Sequence, residues 1–408
     1  MERIESTEIR ELAKTYGTPL YAYSRAKITD NFKRLTAAFS SRYPKFMVLY
    51  AVKANLNLSI LKLLKDLGAG ADCNSPGELA HAVKAGFDST KTLYTGNYES
   101  ADDLKTAVGA QVLLNLDSEE ALDRALKAGP IGALSFRVNP GIGKGGFAEI
   151  VTGGEDSKFG IPFEKVESAY RKAIQAGVKR LGIHMHTGSN ILDPADFSQI
   201  VERLMGIAGP MFNSLGVQPE FIDVGGGLGI PYTNDEKELD LDATAEAVTR
   251  AFRAGVEKYN LGHPTLVVEP GRFLVANAGW LISSVTSVKE SYRKFVGLDA
   301  GMQTLLRPAL YGAIHRTTVV GKPKSDGKID LCGQICESTD VFFKDLDFPK
   351  VAEGDLVVFH DAGAYGFSMA STYNGRLRPA EVLVDGATHR LVRRREKIED
   401  LFTCFSEL

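Results

Sequence analysis

The chain has 408 residues, two to three times the roughly 150 of a typical domain, so a large core is available. Hydrophobic residues make up 44% and charged residues 24%, a balance that excludes extensive disorder. With 48 Lys+Arg against 51 Asp+Glu the net charge is −3, which leaves no electrostatic footprint for nucleic acid; the one tight basic run, Arg393-Arg394-Arg395, meets Glu396 at once.

From the N-terminus, the segment Met1 to Glu5 is charged and lacks the apolar stretch of a secretory signal, and no later stretch approaches the roughly 18 uninterrupted apolar residues of a membrane span. Cys73, Cys332, Cys336 and Cys404 are too few and too scattered for a disulfide framework. A cytoplasmic protein without membrane or nucleic-acid partners is expected. A short helix near Glu8 to Tyr16 is followed by the strand-like Pro19-Leu20-Tyr21-Ala22-Tyr23.

Eight short apolar runs then alternate with amphipathic helical stretches: Phe46 to Val52, Ala69 to Cys73, Thr92 to Gly96, Val112 to Leu116, Ala133 to Val138, Leu181 to His186, Phe221 to Val224 and Leu266 to Glu269. Several of the helical stretches end in glycine, as at Gly68, Gly86, Gly129, Gly177 and Gly216. Eight strands alternating with helices predict an α/β fold, a closed (β/α)8 TIM barrel over residues 28–278.

After Trp280 the texture changes to alternating runs: Leu281 to Val288, Phe295 to Leu298, Arg316 to Val320, Lys328 to Cys332, Leu356 to Phe359, Ala380 to Val384 and Arg390 to Arg394. Asp326-Gly327 and Asp385-Gly386 read as hairpin turns. A second, all-β domain of sandwich or Greek-key type is expected, discontinuous in sequence, from residues 1–27 plus 279–408.

In a (β/α)8 barrel the C-terminal strand ends converge on one mouth, where catalytic groups are found. The chemically unusual residues fall there: Lys53, Asp72, Arg137, His184-Met-His186-Thr-Gly188-Ser189, Gly225-Gly226-Gly227-x-Gly229 and Glu269-Pro-Gly271-Arg272. An amine such as Lys53, held in apolar surroundings, is a candidate for Schiff-base chemistry, although a solvated lysine starting a loop is the plainer reading of that residue alone. The glycine run offers bare backbone N–H groups to a phosphate; a tight turn would look the same. It is no dinucleotide fingerprint, since Ile230 stands where the third glycine belongs, and no lysine makes it a P-loop. Glu269, after Leu266-Val267-Val268, needs a cation or a protonated ring nitrogen, or else pairs with Arg272. His186 could be an ordinary core histidine. Cys332-x3-Cys336 has no second pair nearby, so no metal is expected. Amine, phosphate cradle, flat ring partner and acid together match the needs of pyridoxal phosphate.

The order of motifs resembles the barrel-type (fold-type III) pyridoxal-phosphate decarboxylases, and within them the diaminopimelate decarboxylase family. They are Tyr50-Ala-Val-Lys53-Ala-Asn55, Lys158-Phe-Gly160, His186-x-Gly188-Ser189, Gly225-Gly-Gly-x-Gly229, Glu269-Pro-Gly-Arg272, Arg307-Pro-Ala-Leu-Tyr311, Cys336-Glu-Ser-x-Asp340 and Gly363-Ala-Tyr365. Gly141-Ile-Gly143-Lys144-Gly-Gly146 and Thr152-Gly153-Gly154 depart from the commonest bacterial forms, and Thr339 stands where glycine is frequent.

The resemblance implies decarboxylation of meso-2,6-diaminopimelate to L-lysine and CO2, with pyridoxal 5'-phosphate joined to Lys53. It implies His186 stacked on the cofactor ring, Glu269 at its pyridine nitrogen, and Ser189, Gly226, Gly227 and Tyr365 around the phosphate; Asp72, Arg137, Gly271 and Arg272 complete the cofactor shell. Arg272, Arg307, Tyr311 and Tyr365 would face the substrate. Cys336, as proton donor, and Glu337, reading the distal amino group, would come from the second subunit of a homodimer. Two arginines and one glutamate match an amino acid at the substrate's far end, carboxylate to guanidinium and ammonium to carboxylate. The alternatives are a related decarboxylase of ornithine, lysine, arginine or carboxynorspermidine, and a non-catalytic pyridoxal-phosphate carrier, which would leave the β domain unexplained.

Overall fold

The eight apolar runs of the middle sequence form the parallel strands of a closed barrel: Phe46–Ala51, Gly70–Cys73, Thr92–Thr95, Leu113–Leu116, Ala133–Phe136, Arg180–His184, Phe221–Asp223 and Thr265–Val268. The first and eighth strands pair to close it, Val267 opposite Met47. The computed structural model describes residues 1–141, 154 and 156–406, so the sequence departures at Gly143, Lys144, Gly146, Thr152 and Gly153 lie outside the described residues.

Alternate residues of a strand face one side, and here the inward positions change character along the strand. Leu49, Leu93, Leu113, Ala133, Phe221 and Val267 pack as one apolar cluster with Met47 against it. Gly182 leaves room for Phe221, whose ring would lie 2.4 Å from a Cβ at that position. Two residues further along the same strands stand Ala51, Thr95, Asn115, Ser135, His184, Asp223 and Glu269. The buried polar members meet each other: Ser135 Oγ donates to Asn115 Oδ1 at 2.9 Å, and Asn115 Nδ2 to Thr95 Oγ1 at 3.3 Å. An apolar floor therefore carries a polar layer at the end where barrel enzymes keep their chemistry.

The chain separates into two compact units: residues 31–231 with 237–273, which contain the barrel, and residues 1–30, 232–236 and 274–408. The short stretch Tyr232–Glu236, expected within the barrel, groups with the second unit. That unit is built on a nine-stranded sheet. Its strand Leu20–Ser24 runs antiparallel to Gly279–Glu290 and parallel to Ala380–Asp385. Ile9, Leu12, Leu20, Ala22, Ile282, Val358, Val382 and Val384 form its buried core.

Asp385-Gly386 turns the hairpin between Ala380–Asp385 and Thr388–Arg393. Asp326-Gly327 does not turn one. The preceding strand Thr317–Val319 pairs with Leu356–Phe359, while Gly327–Cys332 pairs with Lys294–Leu298 and with Val341–Phe348. The strand Val341–Phe348 has no counterpart among the predicted runs. Lys344, Asp345 and Asp347 interrupt its alternation, Asp345 takes φ +54°, and its register with Gly327–Cys332 shifts.

Candidate active site

Lys53 follows the first barrel strand on the short turn Val52–Ala54. Its Nζ donates to Asn74 Oδ1 at 2.7 Å and to Asp72 Oδ2 at 3.2 Å. The expected apolar setting of this amine is thus corrected: a buried carboxylate and an amide hold it. Asp72 and Asn74 are inward positions at the end of the second strand. The next helix, Pro76–Ala85, fixes them, because Ser75 caps its N-terminus and Glu78 reaches back to the Asn74 amide at 2.8 Å. Asn74 Nδ2 in turn donates to Asp72 Oδ1 and Thr95 O, which leaves Oδ1 to accept from Lys53. Burial raises the pKa of Asp72, the Glu269 charge raises it further, and Lys53 opposes both.

Glu269 lies just past the eighth strand and is buried. Its partner is His184, whose Nε2 stands 3.2 Å from Oε2, and not Arg272, which donates instead to Ser189 Oγ at 3.1 Å. Burial pushes the Glu269 carboxyl up, but His184 and Lys53 outweigh it and bring it down to about 2. Asp223, fully buried at the end of the seventh strand, accepts the Gly225 N–H on Oδ1 at 2.8 Å. One ring nitrogen of His184 and one oxygen from each of these acids lie within 4.8 Å of one another.

His186 follows the sixth strand and is half-buried as a residue. Burial of its titrating nitrogens and the Arg137 charge push its pKa well below 6.5, so the imidazole is neutral at neutral pH. Its Nδ1 accepts the Gly226 N–H at 3.1 Å, which fixes the ring. Gly225 and Gly227 take φ +75° and +97°, and a Cβ on Gly226 would stand 2.4 Å from Glu269 O; only glycine fits this run. The cradle is less open than expected. The Gly225 and Gly226 amides already serve Asp223 and His186, and it is the Gly227 amide that keeps no protein partner among the described residues. Arg137, on the fifth strand's end, is buried beneath Phe159 of Lys158-Phe-Gly160, its guanidinium 4.5 Å from the ring centroid, and it donates to His186 O at 3.4 Å. Gly271 is buried beside Arg272.

The remaining predicted residues belong to the second unit. Arg307 is fully buried: its Nη1 lies 2.7 Å from His315 Nε2 and its guanidinium 4.5 Å from the Tyr232 ring centroid. A guanidinium can only donate, so His315 Nε2 accepts, and His315 Nδ1–H donates to His360 O at 2.9 Å. Tyr311 closes the short helix Arg307–Tyr311 and is partly exposed. Tyr365 takes φ +56° after Gly363, where a Cβ would stand 1.9 Å from Val275 O. Cys336 and Glu337 are exposed on one loop, Cys336 Sγ accepting from Asn374 Nδ2 at 3.0 Å and Glu337 bonded by the Tyr373 hydroxyl. Asp340 braces that loop, accepting the amides of Met302 at 2.6 Å and Ile335 at 2.7 Å.

Sequence reading placed His184 at the barrel mouth without giving it a role, and it missed Asn74, Asp223 and His315. Three of the four carried a signal: each is a polar residue spaced two from another inward position on a barrel strand, and only His315 lacks such a pattern.

A family model for pyridoxal-dependent decarboxylases, describing their pyridoxal-binding domain, matches residues 26–276. The diaminopimelate decarboxylase of Methanothermobacter thermautotrophicus is 47% identical over 394 residues, covering 96% of this chain and 92% of that protein. That of Archaeoglobus fulgidus is 40% identical over 405 residues, covering 98% and 95%. A crystal structure of diaminopimelate decarboxylase from M. jannaschii, in complex with L-lysine, superposes with a TM-score of 0.90 at 34% identity, covering 98% of this chain and 95% of that one.

The residues fit pyridoxal phosphate. Glu269 Oε1 is buried with no partner among the described residues, as a carboxylate awaiting a protonated ring nitrogen would be, and the Gly227 amide is available to a phosphate. The chain belongs to the pyridoxal-dependent decarboxylases and, within them, to the diaminopimelate decarboxylase family of carboxy-lyases.

Proposed function

We propose that the chain decarboxylates meso-2,6-diaminopimelate at its D-configured centre, giving L-lysine and CO2 as the last step of lysine biosynthesis. We read residues 28–278 as the cofactor-binding domain and residues 1–27 with 279–408 as the β domain. The observation that carries the reading is one barrel presenting Lys53, His186 and Glu269 at the ends of its first, sixth and eighth strands, the acid buried with an oxygen to spare.

Bound pyridoxal 5'-phosphate supplies an electron sink for the bond pair that CO2 leaves behind. Lys53 provides the amine that holds the cofactor, and Asp72 Oδ2, 3.2 Å away, accepts a proton from Nζ, a role suited to a carboxyl whose pKa burial has raised. Glu269 keeps a negative charge for the cofactor's ring nitrogen. His186 presents a flat, neutral face. Ser189, Gly227 and Tyr365 bind the phosphate, with Gly226, whose amide already serves His186, lining the same cradle and Gly271 and Arg137 supporting them. Arg272, Arg307 and Tyr311 grip the carboxylate of the non-reacting end, and His315 keeps Arg307 aimed by accepting from one of its amino groups. Glu337 of the partner subunit takes the distal ammonium. Cys336 of the partner subunit returns a proton to the α-carbon from Sγ, directly or through a water it orders.

The deciding experiment incubates holoenzyme with meso-diaminopimelate, ornithine, lysine, arginine and carboxynorspermidine and identifies the products. Lysine and CO2 from diaminopimelate alone are expected; preference for another substrate overturns the substrate assignment. Borohydride reduction is expected to fix the cofactor mass on the peptide containing Lys53. An inactive Lys53→Ala chain mixed with an inactive Cys336→Ala chain is expected to regain part of the activity, and no regain argues for sites within one chain.

A further inference from the structure

His184, Asp223 and Glu269 form a buried cluster of which only Glu269 has a role so far. His184 Nε2 faces Glu269 Oε2 at 3.2 Å, while its Nδ1 is buried with no partner among the described residues. A hydrogen on Nδ1 would be stranded in the core, whereas a bare lone pair there costs less, so the ring proton sits on Nε2 and is donated to Glu269. Asp223 spends Oδ1 on the Gly225 amide, and its Oδ2, like Glu269 Oε1, is buried with no donor among the described residues; a proton on Oδ2 would be shared with the Glu269 carboxylate.

Two carboxylates so close, both out of water, cannot both ionise. The surroundings choose between them. Glu269 has the His184 donor and the Lys53 charge; Asp223 has one backbone amide and faces Glu269 and Asp72. We propose that Asp223 carries a proton on Oδ2 and, with His184, acts as a positioning residue that keeps Glu269 ionised for the cofactor's ring nitrogen. The assignment rests on the role given to Glu269 above. Burial, then the Glu269 charge, pushes the Asp223 carboxyl well above the usual range, in keeping with the geometry.

Asparagine has the shape of a protonated aspartic acid and can donate as it does; valine has the bulk without the donor. Holoenzymes of the natural chain, Asp223→Asn, Asp223→Val and His184→Phe are compared, with cofactor labelled with 15N at the ring nitrogen. The natural chain is expected to show the infrared carbonyl band of a protonated carboxyl near neutral pH, lost in Asp223→Asn. The 15N shift is expected to report a protonated ring in the natural chain, to move toward the unprotonated value in Asp223→Val and His184→Phe with kcat falling about 10- to 100-fold, and to be restored in large part by Asp223→Asn. A band that survives in Asp223→Asn overturns the proton assignment, as does an asparagine variant as impaired as the valine one. A ring nitrogen unaffected by valine overturns the positioning role. Should the valine chain fail to fold, the band and the asparagine spectrum decide the matter alone. Glu269→Gln separates the two readings: a ring still protonated in that variant refutes the role of Glu269, while the band continues to report on Asp223.

Discussion

The two units hold their proposed site residues in different ways. In the barrel unit, Lys53, Asp72, His184, His186, Asp223 and Glu269 sit on or within two residues of strand ends, and each is held by a partner from another strand or the following turn. In the β unit, Cys336, Glu337 and Tyr365 lie on loops between strands, and Arg307 on a short helix. A barrel strand end gives a side chain one direction, set by the pleat. A loop gives none, so the β unit recruits dedicated braces: Asp340 under the Cys336 loop, and His315 with Tyr232 around Arg307. Rigid strand ends suit cofactor chemistry; braced loops suit the choice of substrate.

Substitutions on the two sides are expected to separate these tasks. Lys53→Ala is expected to abolish the covalent cofactor linkage and to lower kcat by about 1000-fold or more, some 4 kcal/mol, read by steady-state assay and by mass after borohydride. Glu337→Gln is expected to lower kcat/KM for diaminopimelate about 100-fold while cofactor affinity holds. Equal loss of both in Glu337→Gln would erase the division. Gly226→Ala is expected to cost about 1–3 kcal/mol of stability and to weaken cofactor binding, because its Cβ meets Glu269 O at 2.4 Å; thermal unfolding and cofactor titration measure the two.

The smallest expected effect concerns pH, and both units share its sign. His186 is held below its ordinary value by burial and Arg137, and His360 is lowered from 6.5 to about 4 by burial and Arg316. Each is neutral when folded and takes up a proton when unfolded, so its contribution to stability is complete above about 6.5 and is lost as the pH falls toward the folded value. The urea midpoint is therefore expected to drop between pH 7.5 and 5. His360→Gln, which keeps an amide for the Thr318 hydroxyl, is expected to flatten part of that drop. A steeper fall in the variant would reverse the sign.

The barrel's strands were legible because parallel strands buried on both faces read as continuous apolar runs. Its mouth was legible because a polar residue ending such a run stands out. The β unit was legible where alternation held, as at Leu356–Phe359, and failed at Val341–Phe348, where an irregular register admits charged residues. Asp326-Gly327 failed as a hairpin because local turn chemistry says nothing about which strands pair.

By itself, then, the sequence determined the order of strands, the residue types at their ends and the family they belong to, since these follow from periodicity and motif. Only the tertiary structure decided the partnerships. Glu269 meets His184, 85 residues away, and not Arg272, three residues on, because closing the barrel brings distant strand ends within hydrogen-bond reach while the turn after Glu269 sends Arg272 to Ser189. Which acid is ionised and which amides stay open for a phosphate follow from those contacts. Charge state depends on what surrounds a group in space, and chain order does not specify that.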